Sequence, residues 1–207
     1  MTHMPTLTNK LTRRSVVVGS AAMALNAAIP APASALSAKS AETLVSKLVV
    51  DINKIISSGK SEKAMYGDFE RLFVKYADVP TIARYTLGAD ARQASSAQLK
   101  SYTSAFQGYI SRKYGKRFRE FIGGRLEVQG ARQVKSFYEV KTKAFLPGDS
   151  PFTVTFLVSD KSGSDKFFNI FIEGVNMLLT ERSEIGAMLD RRKGNLDQLT
   201  KDLRKLS

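Results

Sequence analysis

The sequence contains no cysteine and no tryptophan, and its one histidine is His3. The absence of cysteine excludes disulfide bonds, thiolate metal sites and cysteine nucleophiles. A mechanism that needs histidine would have to use His3, close to the N-terminus. Acidic residues are also scarce, with 19 Asp and Glu against 32 Lys and Arg, which gives a formal net charge of +13. The side chains left for chemistry are those of Asp, Glu, Lys, Tyr and Ser.

The composition is otherwise that of a globular protein with a sizeable core. The chain has 207 residues, of which 43% are hydrophobic and 25% are charged. A chain of this length forms one domain, or two at most. Its apolar content is high enough that we expect it to fold rather than to be disordered throughout.

Residues 1–35 have the layout of a secretory signal peptide. Lys10 opens a basic segment, residues 16–29 are uncharged and rich in Val and Ala, and small-x-small cleavage sites end at Ala33 and Ala35. That order is typical of an export signal. The apolar run is shorter than the roughly 20 residues that a transmembrane helix needs. We therefore predict that the protein is exported, soluble and periplasmic.

The pair Arg13-Arg14 favours the twin-arginine route, and a general secretory signal is the alternative. Cleavage after Ala35 removes the only histidine. We predict one mature domain, residues 36–207.

Hydrophobic residues then recur at helical spacing. The pattern predicts helices over 40–58, 61–76, 80–88 and 95 to about 122, and two C-terminal helices divided at Gly194-Asn195. Ser95 and Gln98 form a capping-box pattern at the start of the fourth helix.

From Arg125 the period changes to two, which indicates strands. The pattern predicts two strands around Gly130, then strands over 152–158 and 167–172, and a resumed strand over 175–180. Helices, then a twisted antiparallel sheet of about five strands, then helices are typical of an α+β fold.

The segment 167–172 has apolar side chains on both faces of its strand. A strand with one solvated face would alternate. Two interpretations stay open: a central strand between helices, or a strand with one side that lines a ligand cavity.

Basic residues cluster on the fourth helix, opposite its aromatic stripe: Arg112, Lys113, Lys116, Arg117 and Arg119. This face is either simply solvated or a docking surface for anionic headgroups or an acidic partner. Nucleic acid is not predicted as a partner, because the chain is exported and carries no recognisable nucleic-acid motif.

Three carboxylates, Glu173, Glu181 and Glu184, lie near the end of the predicted sheet. A glycosidase-like acid and base pair is conceivable. Structural ion pairs with Arg182 or a neighbour are the favoured interpretation.

Residues 109–118 contain Tyr109, Tyr114, Gly115 and Phe118 at the spacing Y-x4-Y-G-x2-F, and residues 171–180 contain the run Ile172-Glu173-Gly174-Val175 and end at Thr180. These segments resemble the helix Y-x4-Y-G-x2-F/L and the strand IEGVSxxxT of the MlaC family of periplasmic phospholipid carriers, which implies an apolar pocket between the sheet and the helices. Residues 182–184 and 194–199 resemble its R-S-E/Q and G-x-D-x-L ending. The resemblance extends over residues 40–206, with the motifs in order.

The resemblance implies a carrier without enzymatic activity, cofactor or metal, whose cargo is a phospholipid. Such carriers shuttle lipid between an outer-membrane lipoprotein complex and an inner-membrane ABC transporter, with transient proximity to membranes. We expect a monomer. The alternatives are a carrier of hopanoids or other lipids, an exported hydrolase or isomerase on a similar scaffold, and a basic adaptor that binds only proteins or membrane surfaces.

By position, Tyr114 and Val175 match the residues that line the lipid pocket of the family. Their neighbours and the inward stripe of the fourth helix complete the predicted lipid-binding set: Phe118, Ile172, Met177, Tyr109, Ile110 and Phe106. Arg112 and Lys116 are the predicted docking residues. Asn169 and Asn176 depart from the Asp and Ser that are common there in the family.

The export signal can be tested by changing Arg13→Lys together with Arg14→Lys. The twin-arginine route requires the two arginines themselves, and lysine does not replace them. We therefore expect the precursor to stay in the cytoplasm, as measured by fractionation and N-terminal sequencing. Cleavage and normal export of this double variant would exclude the twin-arginine route and leave the general secretory route.

Overall fold

The structure, a computed structural model, describes residues 36–115 and 120–206. The signal peptide predicted for residues 1–35 lies outside the described residues. Helices come first, a sheet follows and two further helices end the chain.

Six α-helices occur within the described residues. They are α1 (Ala38–Ile56), α2 (Glu62–Tyr76), α3 (Val79–Leu87), α4 (Ser96–Gly115), α5 (Met177–Asp190) and α6 (Leu196–Lys205). The predicted capping box of α4 is confirmed: the amide of Gln98 donates to Oγ of Ser95 at 3.2 Å, and the amide of Ser95 donates to Oε1 of Gln98 at 3.1 Å. None of these helices combines the length and the hydropathy that crossing a bilayer requires.

The sheet has five strands in the order in which they occur along the chain. They are β1 (Arg125–Val134), β2 (Phe137–Phe145), β3 (Phe152–Ser159), β4 (Lys166–Ile172) and β5 (Val175–Asn176). Each strand pairs antiparallel with the next. The predicted α+β fold with about five antiparallel strands is confirmed.

One face of the sheet and the inward faces of the helices share a single core. On β2, Val140, Thr142 and Ala144 alternate inward and are fully buried. The helices contribute side chains that are equally inaccessible, among them Val45, Tyr102, Phe106, Ile185 and Leu199. The core therefore lies between the sheet and the helices, where the lipid pocket was predicted.

Both faces of β4 meet aromatic rings. On the core side the ring of Phe167 lies 6.5 Å from that of Phe73 and 5.7 Å from that of Phe156. On the other side the ring of Phe168 lies 5.6 Å, edge to face, from that of Phe137 on β2. The two strands flank β3, so these rings converge over β3. The two-sided apolar pattern of this strand is thus explained by ring packing on both faces.

The predicted break at Gly130 is wrong. Strand β1 continues through Gly130, and the register shifts by a bulge between Val128 and Gly130. Gly130 takes a φ of +142°, which glycine adopts without the steric cost of a side chain. The chain instead turns at residues 135–136, where Lys135 has a φ of +54°.

The resumed strand predicted over 175–180 is also wrong beyond Asn176. The side chain of Asn176 accepts the amide of Leu179 at 3.0 Å and caps α5, which begins at Met177. Asn169 on β4 donates its side-chain amide to Oδ1 of Asn176 at 3.0 Å and accepts the amide of Leu178 at 3.1 Å. This amide pair ends the sheet and starts the helix.

Helix α4 was predicted to reach about Ile122, whereas its described part ends at Gly115 and residues 116–119 lie outside the described residues. A Cβ at Gly115 would lie 2.6 Å from the ring of Tyr66 on α2. A side chain larger than that of glycine therefore does not fit where α4 crosses α2.

Replacing Asn176 by Ala removes both the helix cap and the partner of Asn169. We expect the free energy of unfolding to fall by about 2 kcal/mol, since a helix cap and a part-buried hydrogen bond between two side-chain amides contribute about 1 kcal/mol each. Urea denaturation followed by circular dichroism measures the change. Asn176→Asp keeps both acceptor bonds and is the matched control; equal losses in the two variants would contradict the capping role.

Candidate functional site

Helix α4 directs three of the predicted lipid-binding residues into the core. Phe106, Tyr109 and Ile110 are all buried. The ring of Phe106 packs at 5.8 Å from that of Tyr102, whose hydroxyl lies 2.8 Å from that of Thr86. These side chains belong to the packed interior.

The remaining predicted residues lie at the boundary of that interior. Tyr114, Ile172 and Met177 are half-buried, and Tyr114 and Ile172 pack against the core. Val175, which pairs with Ile172 in the sheet, is 55% exposed. Phe118, like the predicted docking residue Lys116, lies outside the described residues.

Polar side chains bridge α4 and α5 beside these residues. Nζ of Lys113 donates to Oε1 of Glu181 at 2.7 Å and also to Oε2 of Glu184. The hydroxyl of Tyr109 donates to Oε1 of Glu184 at 2.6 Å, and that of Tyr114 donates to Oε1 of Glu181. We call these five residues the α4–α5 cluster. Two of the predicted lipid-binding residues thereby hold α5 against α4.

In the α4–α5 cluster the surroundings favour neutral hydroxyls on Tyr109 and Tyr114, a charged ammonium on Lys113 and an ionised carboxylate on Glu184. Burial raises the pKa of Tyr109 and Tyr114, so both hydroxyls keep their protons. Burial alone would raise the pKa of Glu184, but the bonds from Lys113 and Tyr109 hold it below its usual value. Burial works against the ammonium of Lys113, yet its bonds to the two carboxylates raise its pKa. Lys113 and Glu184 therefore stay a charged pair at neutral pH.

Lys113 does not belong to the solvated basic face on which the sequence places it. Its side chain is only 27% exposed, and Nζ lies 5.6 Å from the ring centroid of Tyr109 and 5.5 Å from that of Tyr114. Sequence reasoning missed it as the partner of Glu181 and Glu184, because about 70 residues separate them. The one available signal was its position between the two tyrosines of the helix motif.

The ion-pair interpretation of Glu181 and Glu184 is supported, with a different partner from Arg182. The guanidinium of Arg182 lies over the ring of Tyr85, at 5.0 Å from its centroid. Glu173 lies apart from the two, on the turn between β4 and β5, and accepts the amide of Thr153.

The predicted docking residue Arg112 is held by α6. Its Nε donates to the carbonyl of Leu206 and its Nη2 donates to that of Leu203, both at 2.7 Å. These carbonyls belong to the last turn of α6, where a cation is favourable. The docking role of Arg112 and Lys116 stays a prediction.

The described residues form, among others, two surface grooves that none of the predicted lipid-binding residues lines. The first, of about 500 Å³, lies along α1 and the end of α2, and includes Lys39, Lys47 and Lys75. The second, of about 400 Å³, lies between α3 and α4, around Arg84 and Lys100. Across residues 36–115 and 120–206, no group of three or more His, Asp or Glu side chains could hold a metal ion.

A protein-family model, that of the MlaC protein, matches residues 43–205. The chain belongs to the MlaC family. A phospholipid-binding protein from Ralstonia solanacearum, solved in complex with a phospholipid, is similar in structure with a TM-score of 0.66. The two chains are 18% identical, and the match covers 79% of this chain and 98% of that chain. This likeness shows a shared fold, with the helices and sheet of the MlaC architecture.

Replacing Lys113, the cation of the α4–α5 cluster, tests how much the cluster contributes to the free energy of unfolding. Lys113→Met leaves the buried carboxylate of Glu181 without its ion-pair partner, and breaking a buried pair costs about 3 kcal/mol or more. We expect a loss of this size in the free energy of unfolding, measured in urea at neutral pH.

The double variant Lys113→Met with Glu181→Gln removes the unpaired charge as well. We expect it to be more stable than Lys113→Met alone. If the stability lost in the double variant equals the sum of the losses in Lys113→Met and in Glu181→Gln, the two groups are not coupled and the cluster is not a unit.

Proposed function

We propose that this MlaC-family protein is a periplasmic phospholipid carrier that holds acyl chains between its sheet and its helices and catalyses no reaction. Membership of the family over residues 43–205 carries this proposal. The shared fold with a protein that was solved with a bound phospholipid supports it.

The interior between the sheet and the helices has the chemistry that acyl chains require. Its walls are aliphatic and aromatic, from the buried faces of β2 and β3 and from Phe106 and Ile110 of α4. In the structure these side chains pack against one another. A lipid tail therefore enters by replacing apolar contacts with other apolar contacts, at little cost in hydrophobic free energy.

In this proposal the half-buried residues form the mouth of this interior. Tyr114, Ile172 and Met177 stand between the core and the surface. Val175 lies next to Ile172 on the short last strand, with its side chain directed to solvent. An exposed apolar side chain beside a half-buried apolar group suits a lipid that covers it on binding.

The energetics fit exchange with membranes. Two acyl chains of about 15 methylenes each correspond to about 25 kcal/mol of transfer free energy at about 0.8 kcal/mol per CH₂. Leaving a bilayer costs almost the same amount, because the bilayer interior is equally apolar. The carrier therefore exchanges lipid readily with a membrane and hardly releases it into water.

A hydrolase or isomerase would need an acid and a base that face a substrate cleft. The carboxylates of Glu181 and Glu184 are instead engaged by Lys113 and by tyrosine hydroxyls. This arrangement supports structural ion pairing and favours the carrier over the enzyme.

We infer the route of the cargo from the family. The precursor is exported, loses residues 1–35, and acts as a monomeric domain of residues 36–207. This domain passes phospholipid between an outer-membrane lipoprotein complex and an inner-membrane ABC transporter. Native mass spectrometry of the purified periplasmic protein tests the proposal, because a bound two-chain phospholipid supports it. A bound hopanoid would replace the cargo class, and a protein without lipid would overturn the proposal.

Val175→Glu tests the mouth of the interior. Because Val175 is 55% exposed, the free protein tolerates the charge and stays folded. A lipid that covers position 175 would have to bury an unpaired carboxylate, which costs several kcal/mol. We expect little or no bound lipid, measured by extraction and mass spectrometry, together with an unchanged circular dichroism spectrum.

Val50→Glu is the matched control, since Val50 on α1 is 50% exposed and lies outside the predicted lipid-binding set. It should retain its lipid. A folded Val175→Glu protein with a full complement of lipid would remove this residue from the site.

A further inference from the structure

Helices α3 and α5 pack against each other, and apolar side chains are exposed along them. Seven large hydrophobic side chains are exposed among the described residues, and three of these lie here. They are Tyr85 on α3, which is 40% exposed, Leu179 on α5, which is 50% exposed, and Val175 just before α5. Single exposed apolar residues are common, whereas a group of them marks a surface that contacts an apolar partner.

Arg182 joins the two helices at the surface, one turn after Leu179 on α5. Its guanidinium lies over the ring of Tyr85, at 5.0 Å from the centroid. Gly88, which ends α3 with a φ of +60°, leaves room for it, because a Cβ there would lie 3.0 Å from Nη2 of Arg182. Within residues 36–115 and 120–206 this guanidinium has no hydrogen-bond or ion-pair partner. Its N–H donors are therefore positioned and available to an anion.

Two further cations lie next to these side chains. Arg84 on α3 and Lys100 on α4 line the groove of about 400 Å³ between the two helices, and no carboxylate lines that groove. Neither cation forms an ion pair within the described part of the chain. The groove along α1 and α2 differs, because it includes Glu42 and Asp51 among its lysines.

The carboxylates near α3 and α5 do not pair with Arg182. Those of the α3 cap, the β4–β5 turn and α5 accept hydrogen bonds from other groups: Asp78, Glu173, Glu181 and Glu184. Asp90 and Asp190, at the margins, each have an arginine within two residues in the chain, Arg92 and Arg191. Residues 116–119 include three further basic residues and lie outside the described residues. The cations of this region are therefore in excess among the residues that the structure describes.

We propose that the α3–α5 face, defined by Tyr85, Val175, Leu179 and Arg182, is the surface by which the carrier contacts an anionic bilayer. This inference rests on the proposed function, since Val175 lies at the mouth through which lipid would pass. Leucine and valine enter the interfacial region of a bilayer, and tyrosine is enriched at the level of the headgroups. A guanidinium binds a lipid phosphate through two parallel N–H bonds. The contact would bring the mouth to the membrane.

The first test measures sedimentation of the mature protein with vesicles of phosphatidylcholine alone, or of equal parts phosphatidylcholine and phosphatidylglycerol. We expect stronger binding to the anionic vesicles, and we expect this binding to weaken as salt screens the charges. Arg182→Gln should lower the partition coefficient about fivefold, which corresponds to about 1 kcal/mol for one cation near a membrane.

Lys47→Gln is the matched control, because it removes one positive charge from an exposed residue of α1, outside the α3–α5 face. It should bind the anionic vesicles as the wild type does. If it loses as much affinity as Arg182→Gln, the net charge of the protein attracts the membrane and the assignment to this face is overturned.

The second test locates the contact and uses the absence of cysteine from the chain. Leu179→Cys and Val50→Cys each introduce a single thiol at a side chain that is 50% exposed. The thiol is labelled with a dye whose emission shifts to shorter wavelength in an apolar environment. When anionic vesicles are added to the lipid-loaded protein, we expect this shift at position 179 and none at position 50. Shifts at both positions, or no shift at position 179, would overturn the proposed face.

The two proposals fail in different ways. A protein that purifies with a two-chain phospholipid but does not bind anionic vesicles would overturn the membrane contact, while the carrier function would stand. The partner of the α3–α5 face would then be a protein. A protein that binds the vesicles but neither contains nor takes up phospholipid would instead overturn the carrier function.

Discussion

The structure depends on covering one apolar face of the sheet, and its strand β4 has aromatic side chains on the opposite face as well. Strand β4 presents Phe167 to the helices and Phe168 to the opposite face. The helices cover the first side with a continuous core, whereas on the second side the ring of Phe168 packs edge to face against that of Phe137. The core therefore lies on the helical side of the sheet, and every proposed role of the interior follows from that asymmetry.

The polar contacts of the molecule are concentrated where the helical layer meets the end of the sheet. The amide pair of Asn169 and Asn176 fixes the start of α5, and the α4–α5 cluster fixes the next two turns. Helix α5 is thus positioned by directional bonds, and the core by non-directional packing. In the proposed carrier the apolar part adapts to acyl chains of different length while the polar part keeps its geometry.

Local patterns predicted those elements whose formation depends on near neighbours. Helical spacing located α1 to α3, and the Ser95 and Gln98 cap located the start of α4. The pattern failed where a distant strand or side chain decides the outcome. Gly130 indicated a turn between two strands, but β1 pairs with β2 on both sides of it and Gly130 lies in a β-bulge. The start of α5 was missed although its cap, Asn176, is local; what the pattern could not give is the bond that Asn169 on β4 makes to the same side chain.

The candidate site was predicted in part for the same reason. The family motifs identified Tyr114 and Val175 by position, but no sequence pattern could give the exposure of Val175. Lys113 was assigned to an exposed basic face because the residues near it in the sequence are also basic. Its partners are on α5, and only the folded chain brings a cation between two tyrosines to two distant carboxylates.

The outer strands of the sheet have a consequence for how copies of the protein meet. Strand β5 has two residues, too few to template a further strand. At the opposite margin β1 is ten residues long, but its ladder is interrupted by the bulge at Gly130 and it carries the exposed charges of Arg125, Glu127 and Arg132. Short, bulged and charged margins oppose the joining of two sheets into one. When two copies of the protein meet, the described margins of their sheets therefore give little continuous backbone along which the strands of one copy could pair with those of the other.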